Sequence, residues 1–66
     1  MNSEILADLK RLKDDIETLR DIAYGAHRSC RNNEDMSFPI KSLHIKLITI
    51  NDIYKRIEEN WKRENP

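Results

Sequence analysis

The sequence predicts an all-α protein: an antiparallel two-helix hairpin, coiled-coil-like, that dimerises into a four-helix bundle. Three observations carry this expectation. From Ile5 the apolar positions run Ile5, Leu9, Leu12, Ile16, Leu19, Ala23, Ala26 and Cys30 in alternating steps of four and three, the seam of a coiled coil. A second series, Ile40, Leu43, Leu47, Ile50, Tyr54, Ile57 and Trp61, keeps the same rhythm. Between them the stretch NNEDMSFP combines turn-forming asparagines with a proline that cannot sit inside a helix.

The first helix is expected over about residues 3–32. Asn2 or Ser3 supplies an N-cap, and Glu4 places an acid at the positive end of the helix dipole. Gly25 weakens the helix by about 1 kcal/mol relative to alanine, yet the seam continues through Ala26 and Cys30, and Arg28 and Arg31 suit a last turn. The helix therefore stops near Asn32 or Asn33, residues that tolerate left-handed geometry. Pro39 turns Phe38 away from the helical region and is itself a good first-turn residue. The turn is thus placed at about 33–38 and the second helix at about 39–64, with Ser37 or Phe38 as its cap. The run IKLITI is rich in β-branched residues, but a continuous helical seam outweighs the strand propensity of so short a stretch.

A turn this short makes the helices antiparallel neighbours. Aligning the two seams puts Leu12 near Ile57, Leu19 near Ile50, Ala26 near Leu43 and Leu9 near Trp61. The same register sets Lys13 beside Glu58 and His27 beside His44, where protonation of both histidines would weaken association below about pH 6.5.

Sixty-six residues make a single domain, 1–66, and chains of this size need a disulfide, a metal or self-association to complete a core. The single cysteine, Cys30, forms no disulfide within the chain and points to the reducing cytoplasm. No stretch reaches the roughly 18 apolar residues of a membrane span, and MNSEILADLK lacks the basic start and apolar run of an export signal. Twelve basic and twelve acidic side chains cancel, so no overall field draws the chain to nucleic acid or to an anionic membrane.

Self-association is the aid the sequence favours. In LHIKLITI, residues 43–50, the seam takes Leu43, Leu47 and Ile50, leaving Ile45 and Ile48 on the outer side with His44 beside them. Ile53 lies on a flank of the second helix, Ile22 on the matching flank of the first, and Leu6 near its start. These six, His44, Ile45, Ile48, Leu6, Ile22 and Ile53, form the candidate surface for self-association or for another protein.

Chemistry is harder to find. His27, Cys30 and His44 are the soft metal ligands, but an H-x-x-C pair with one distant histidine lacks a fourth ligand for zinc. The carboxylates fall mostly on solvated faces, with no inward E-x-x-H spacing, and a lone glycine makes no phosphate loop. No catalytic, metal or cofactor site is expected. The predicted function is that of a small non-enzymatic regulator or adaptor, inhibitor- or antitoxin-like, that binds protein through an apolar helical face. Small size without catalytic apparatus also suits a phage- or plasmid-encoded factor. The rival reading uses Lys10, Arg11 and Lys13 with Lys55, Arg56, Lys62 and Arg63, which the hairpin brings to its open end as a patch for RNA or DNA. That layout resembles the dimeric helical hairpin of the Rop-like plasmid RNA-binding proteins at the level of fold. Acidic residues intersperse the same end, which favours a surface laced with ion pairs over nucleic-acid binding.

Overall fold

Two helices, α1 (Ser3–Arg31) and α2 (Ser37–Glu64), pack side by side in a computed structural model that describes residues 3–65. They form an antiparallel rod measuring 50 × 15 × 12 Å. Its proportions follow from the sequence, because 28 or 29 helical residues at about 1.5 Å each span about 43 Å.

The chain reverses through a Schellman motif. Asn33 takes the left-handed conformation, φ 56°. The Glu34 N–H then donates to the Ser29 carbonyl at 2.9 Å and the Asn33 N–H to the Cys30 carbonyl at 3.2 Å. Two carbonyls that the helix end would orphan are satisfied by this arrangement, and the expected stop near Asn32 or Asn33 acquires its physical cause.

The second helix begins earlier than expected, at Ser37 rather than about residue 39. Asp35 is the reason. Its Oδ1 accepts the Ser37 N–H at 2.9 Å and the Ser37 hydroxyl at 2.7 Å, which holds its carboxyl below the usual range and does the work of a cap. Phe38 is therefore helical despite the proline after it, and Pro39 sits in the first turn, where its missing N–H costs little. At the other end of the chain Ser3 is already helical, so of the two expected caps Ser3 is not one, and Asn2 lies outside the described residues.

Gly25 is half-buried, yet a Cβ built on it would meet nothing within 4 Å. No close approach requires a glycine there. Gly25→Ala is expected to stabilise the protein by about 1 kcal/mol and raise the melting temperature by roughly 4–8 °C. A thermal melt followed by circular dichroism checks this.

The interface between the helices differs from the predicted seam by a rotation. Leu12, Leu19 and Ala26 do face α2, and Leu43, Ile50 and Ile57 face α1, half-buried or buried. The second inward stripe, however, is Asp8, Asp15, Ile22 and Ser29 on α1 and Pro39, Lys46, Ile53 and Asn60 on α2. Leu9, Ile16, Ile40, Leu47, Tyr54 and Trp61, all expected inside, are 44% to 58% exposed.

Ion pairs explain the rotation. The Arg56 guanidinium donates twice to Asp8, at 2.7 and 2.8 Å. Asp8 is only 4% exposed and Asn60 7%, and the Lys46 ammonium reaches Asp15 at 3.4 Å. Turning the helices to enclose Leu9 and Trp61 would carry Asp8 toward solvent and give up its paired, charge-assisted hydrogen bonds to Arg56. Each helix thus carries an apolar stripe two heptad positions wide beside a mostly polar one, and the pair of helices encloses only half of the apolar stripe.

Candidate functional site

The surface this rotation exposes is built by simple geometry. On α1 the positions 9, 16, 23 and 30 follow the inward positions 5, 12, 19 and 26 by four residues. On α2 the positions 47, 54 and 61 follow 43, 50 and 57 by the same step. A four-residue step turns the same way about each helix's own axis, and the helices run in opposite directions, so both stripes emerge on one side of the hairpin. Leu9, Ile16, Leu47, Tyr54 and Trp61 form one apolar face along the rod, with Ala23, Cys30 and Ile40 extending it toward the turn.

The opposite side is polar. Its central groove is lined by Arg11, Asp14, Asp15, Thr49, Asp52, Ile53 and Arg56, and toward the open end by Glu4, Ala7, Asp8 and Asn60. Near the turn a smaller recess collects Ile22, Gly25, Ala26, Ser29, Phe38, Pro39 and Ser42. One side of the hairpin resembles a protein surface and the other resembles an interior.

The residues expected to form the interaction surface do not come together. Ile53 is 7% exposed and packs inward, because it stands seven residues after Lys46 and seven before Asn60 on the inward stripe. Ile22, half-buried, occupies the corresponding stripe of α1 and lines the recess near the turn. Both are corrections to the expected flanks. Ile45 and Ile48 are about half exposed, at 53% and 49%, and share the outer face of α2. His44 is exposed too. Leu6, 52% exposed, borders the apolar face at the open end, far along the rod from Ile45. The six residues thus fall into a small outer patch, an edge position and two interior positions.

The expected pairing of Lys13 with Glu58 is replaced by local partners. Lys13 reaches Glu17 at 3.6 Å, while Glu58 accepts the Tyr54 hydroxyl at 2.8 Å and lies 3.5 Å from the Lys62 ammonium. The Tyr54 hydroxyl, together with Lys62, holds the Glu58 carboxyl below its usual range, and the carboxylate raises the Tyr54 phenol. The basic patch is correspondingly fragmented. Arg56 and Arg11 both address Asp8, the latter at 3.8 Å, so four of the seven cations meet carboxylates. The helical step also spreads the seven around the rod. Arg11, Arg56 and Arg63 lie on the polar side, Lys10, Lys55 and Lys62 on the backs of the helices, and Lys13 beside the apolar face.

His27 and His44 are both exposed, and His27 sits in a surface depression with Tyr24, Arg28, Arg31 and Asn32. No group of three or more potential metal ligands occurs among the described residues. No helix there is long and apolar enough to cross a membrane.

Sequence reasoning missed the polar inward stripe. Part of its signal was present: Asp8 and Asp15 stand seven residues apart on α1, and each is answered by a cation of α2, Arg56 and Lys46 respectively. Comparison with protein families, curated proteins and solved structures finds no match.

Proposed function

We propose that this chain is a small non-enzymatic regulator or adaptor, inhibitor- or antitoxin-like, that works by binding protein through apolar helical surface. The observation that supports this reading is the open face itself: five large apolar side chains, Leu9, Ile16, Leu47, Tyr54 and Trp61, aligned on one side of a hairpin whose other side is polar. Contiguous apolar surface of this extent marks an interaction site. Ile45 and Ile48 add a second, smaller patch facing away from it, suited to a heterologous partner. The setting we propose is the cytoplasm, where the exposed thiol of Cys30 stays reduced.

The rival reading, a Rop-like binder of RNA or DNA, has less support, since four of its seven candidate cations are engaged with carboxylates. Salt separates the two. Binding to phosphates weakens steeply between about 50 and 200 mM salt, whereas apolar contact with a protein does not. The tagged protein is expected to retain its partner across that range and to lose it in the Ile45→Asp, Ile48→Asp double variant. Recovery of nucleic acid alone, released by salt and removed by nuclease, would overturn the reading.

A further inference from the structure

We propose that the apolar face is covered by a second copy of the chain, related by a two-fold axis along the rod, so that both turns lie at the same end of a four-helix bundle. The inference rests on the protein-binding reading and names the occupant of its larger surface. It draws on three features of the hairpin.

The first is area. A folded monomer of 7.9 kDa is expected to expose about 4400 Å², whereas the hairpin exposes 5435 Å². The difference, roughly 1000 Å², is comparable to the roughly 800 Å² that each partner contributes to a standard stable interface. The radius of gyration agrees: 15.4 Å against about 11 Å for a compact chain of this length. A single hairpin is one layer of a two-layer fold.

The second is shape. Leu9 stands near the level of Trp61, Ile16 of Tyr54, and Ala23 of Leu47, since the members of each pair differ by only two residues in their distance from the helix ends at the turn, about 3 Å along the rod. At every level the smaller side chain is on α1 and the larger on α2, and Cys30 against Ile40 continues the series. Rotating a second copy about the rod axis sets α1 of each copy against α2 of the other, so each layer alternates small and large around the bundle. Alternation of that kind fills a core at native density.

The third is charge. Lys13, Arg20 and His27 border the apolar face on α1, whereas His44, Asn51 and Glu58 border it on α2. With the turns at the same end, the basic rim of α1 meets the rim carrying Glu58. With the turns at opposite ends α1 would meet α1, and the Lys13 and Arg20 rims would repel each other.

The test uses a turn label and two surface variants. A spin label on Glu34→Cys, in a Cys30→Ser background, marks the turn without entering the face. Two turns at the same end lie about 10 Å apart, one helix diameter, and turns at opposite ends lie about 50 Å apart, the length of the rod. The short distance is expected. Light scattering is expected to give a dimer for wild type, a dimer for Ile45→Asp, Ile48→Asp, and a monomer for Leu47→Asp. A label distance near the rod length overturns the arrangement even if Leu47→Asp proves too unstable to read. A wild-type monomer, or a dimer lost only with Ile45 and Ile48, overturns the self-pairing of this face. Each such result is distinct from failure of the protein-binding reading, which shows as salt-labile binding to nucleic acid.

Discussion

Replacing Ile53 with alanine is expected to lower the unfolding free energy by about 2–4 kcal/mol, while the same change at Ile48 stays within about 0.5 kcal/mol. The two isoleucines are five residues apart on one helix, and each would pass for a surface or a core residue by composition. Ile53 is one of three buried apolar residues among those described, with Ile5 and Ala26, so truncating it empties a site the thin core cannot refill. Ile48 remains half exposed, and its truncation removes little from protein contact. A small domain has only about 5–15 kcal/mol in total, so the Ile53 variant loses a large part of its stability. Urea unfolding followed by circular dichroism, at one fixed protein concentration because association contributes to stability, checks the contrast. Equal effects at the two positions would mean that the helices are rotated differently from the arrangement described.

Acid is expected to unfold the protein through carboxylates that the fold holds ionised. The Arg56 guanidinium keeps Asp8 below the usual aspartate range against the opposing effect of burial, and Asp35 and Glu58 are lowered by Ser37 and Tyr54 respectively. A carboxylate whose folded pKa lies below its unfolded value binds more protons when unfolded. Its stabilising contribution is present above the unfolded value, about 4, and is lost as pH falls through the folded one. The melting temperature is therefore expected to change little from pH 5 upward as far as these three groups are concerned, and to fall below about pH 4. Asp8→Asn is expected to melt lower at neutral pH, because Arg56 loses its charged partner, and to show a shallower decline in acid. An acid profile unchanged by Asp8→Asn would show that the Asp8 to Arg56 contact contributes nothing to folding.

The two helices, the turn and the antiparallel packing are legible in the sequence because each rests on local chemistry. Asparagine in the left-handed region ends α1 and the seven-residue recurrence places Leu12, Leu19, Leu43 and Ile50 at the interface, whereas the cap expected at Ser37 or Phe38 is supplied by Asp35. The rotation is not local. The apolar stripe is two positions wide with a polar one beside it, and choosing which two of the three face inward depends on contacts such as Asp8 with Arg56, separated by 48 residues. A rule that sends the largest hydrophobes inward selects Leu9, Leu47 and Trp61 for the seam, and so misses that the polar stripe closes the hairpin while the apolar one stays open. The same error put Ile53 on the surface. In LHIKLITI the exposed large hydrophobes therefore include Leu47 as well as Ile45 and Ile48.

The most direct test of the account is the absolute mass of the wild-type chain in solution, by light scattering on a size-exclusion column across a range of concentrations. The predicted result is twice the 7.9 kDa chain mass, with Trp61 emission shifting to the red on dilution as the apolar face separates. A folded chain that stays at its single mass at the highest concentrations, with Trp61 emission unchanged, would contradict it.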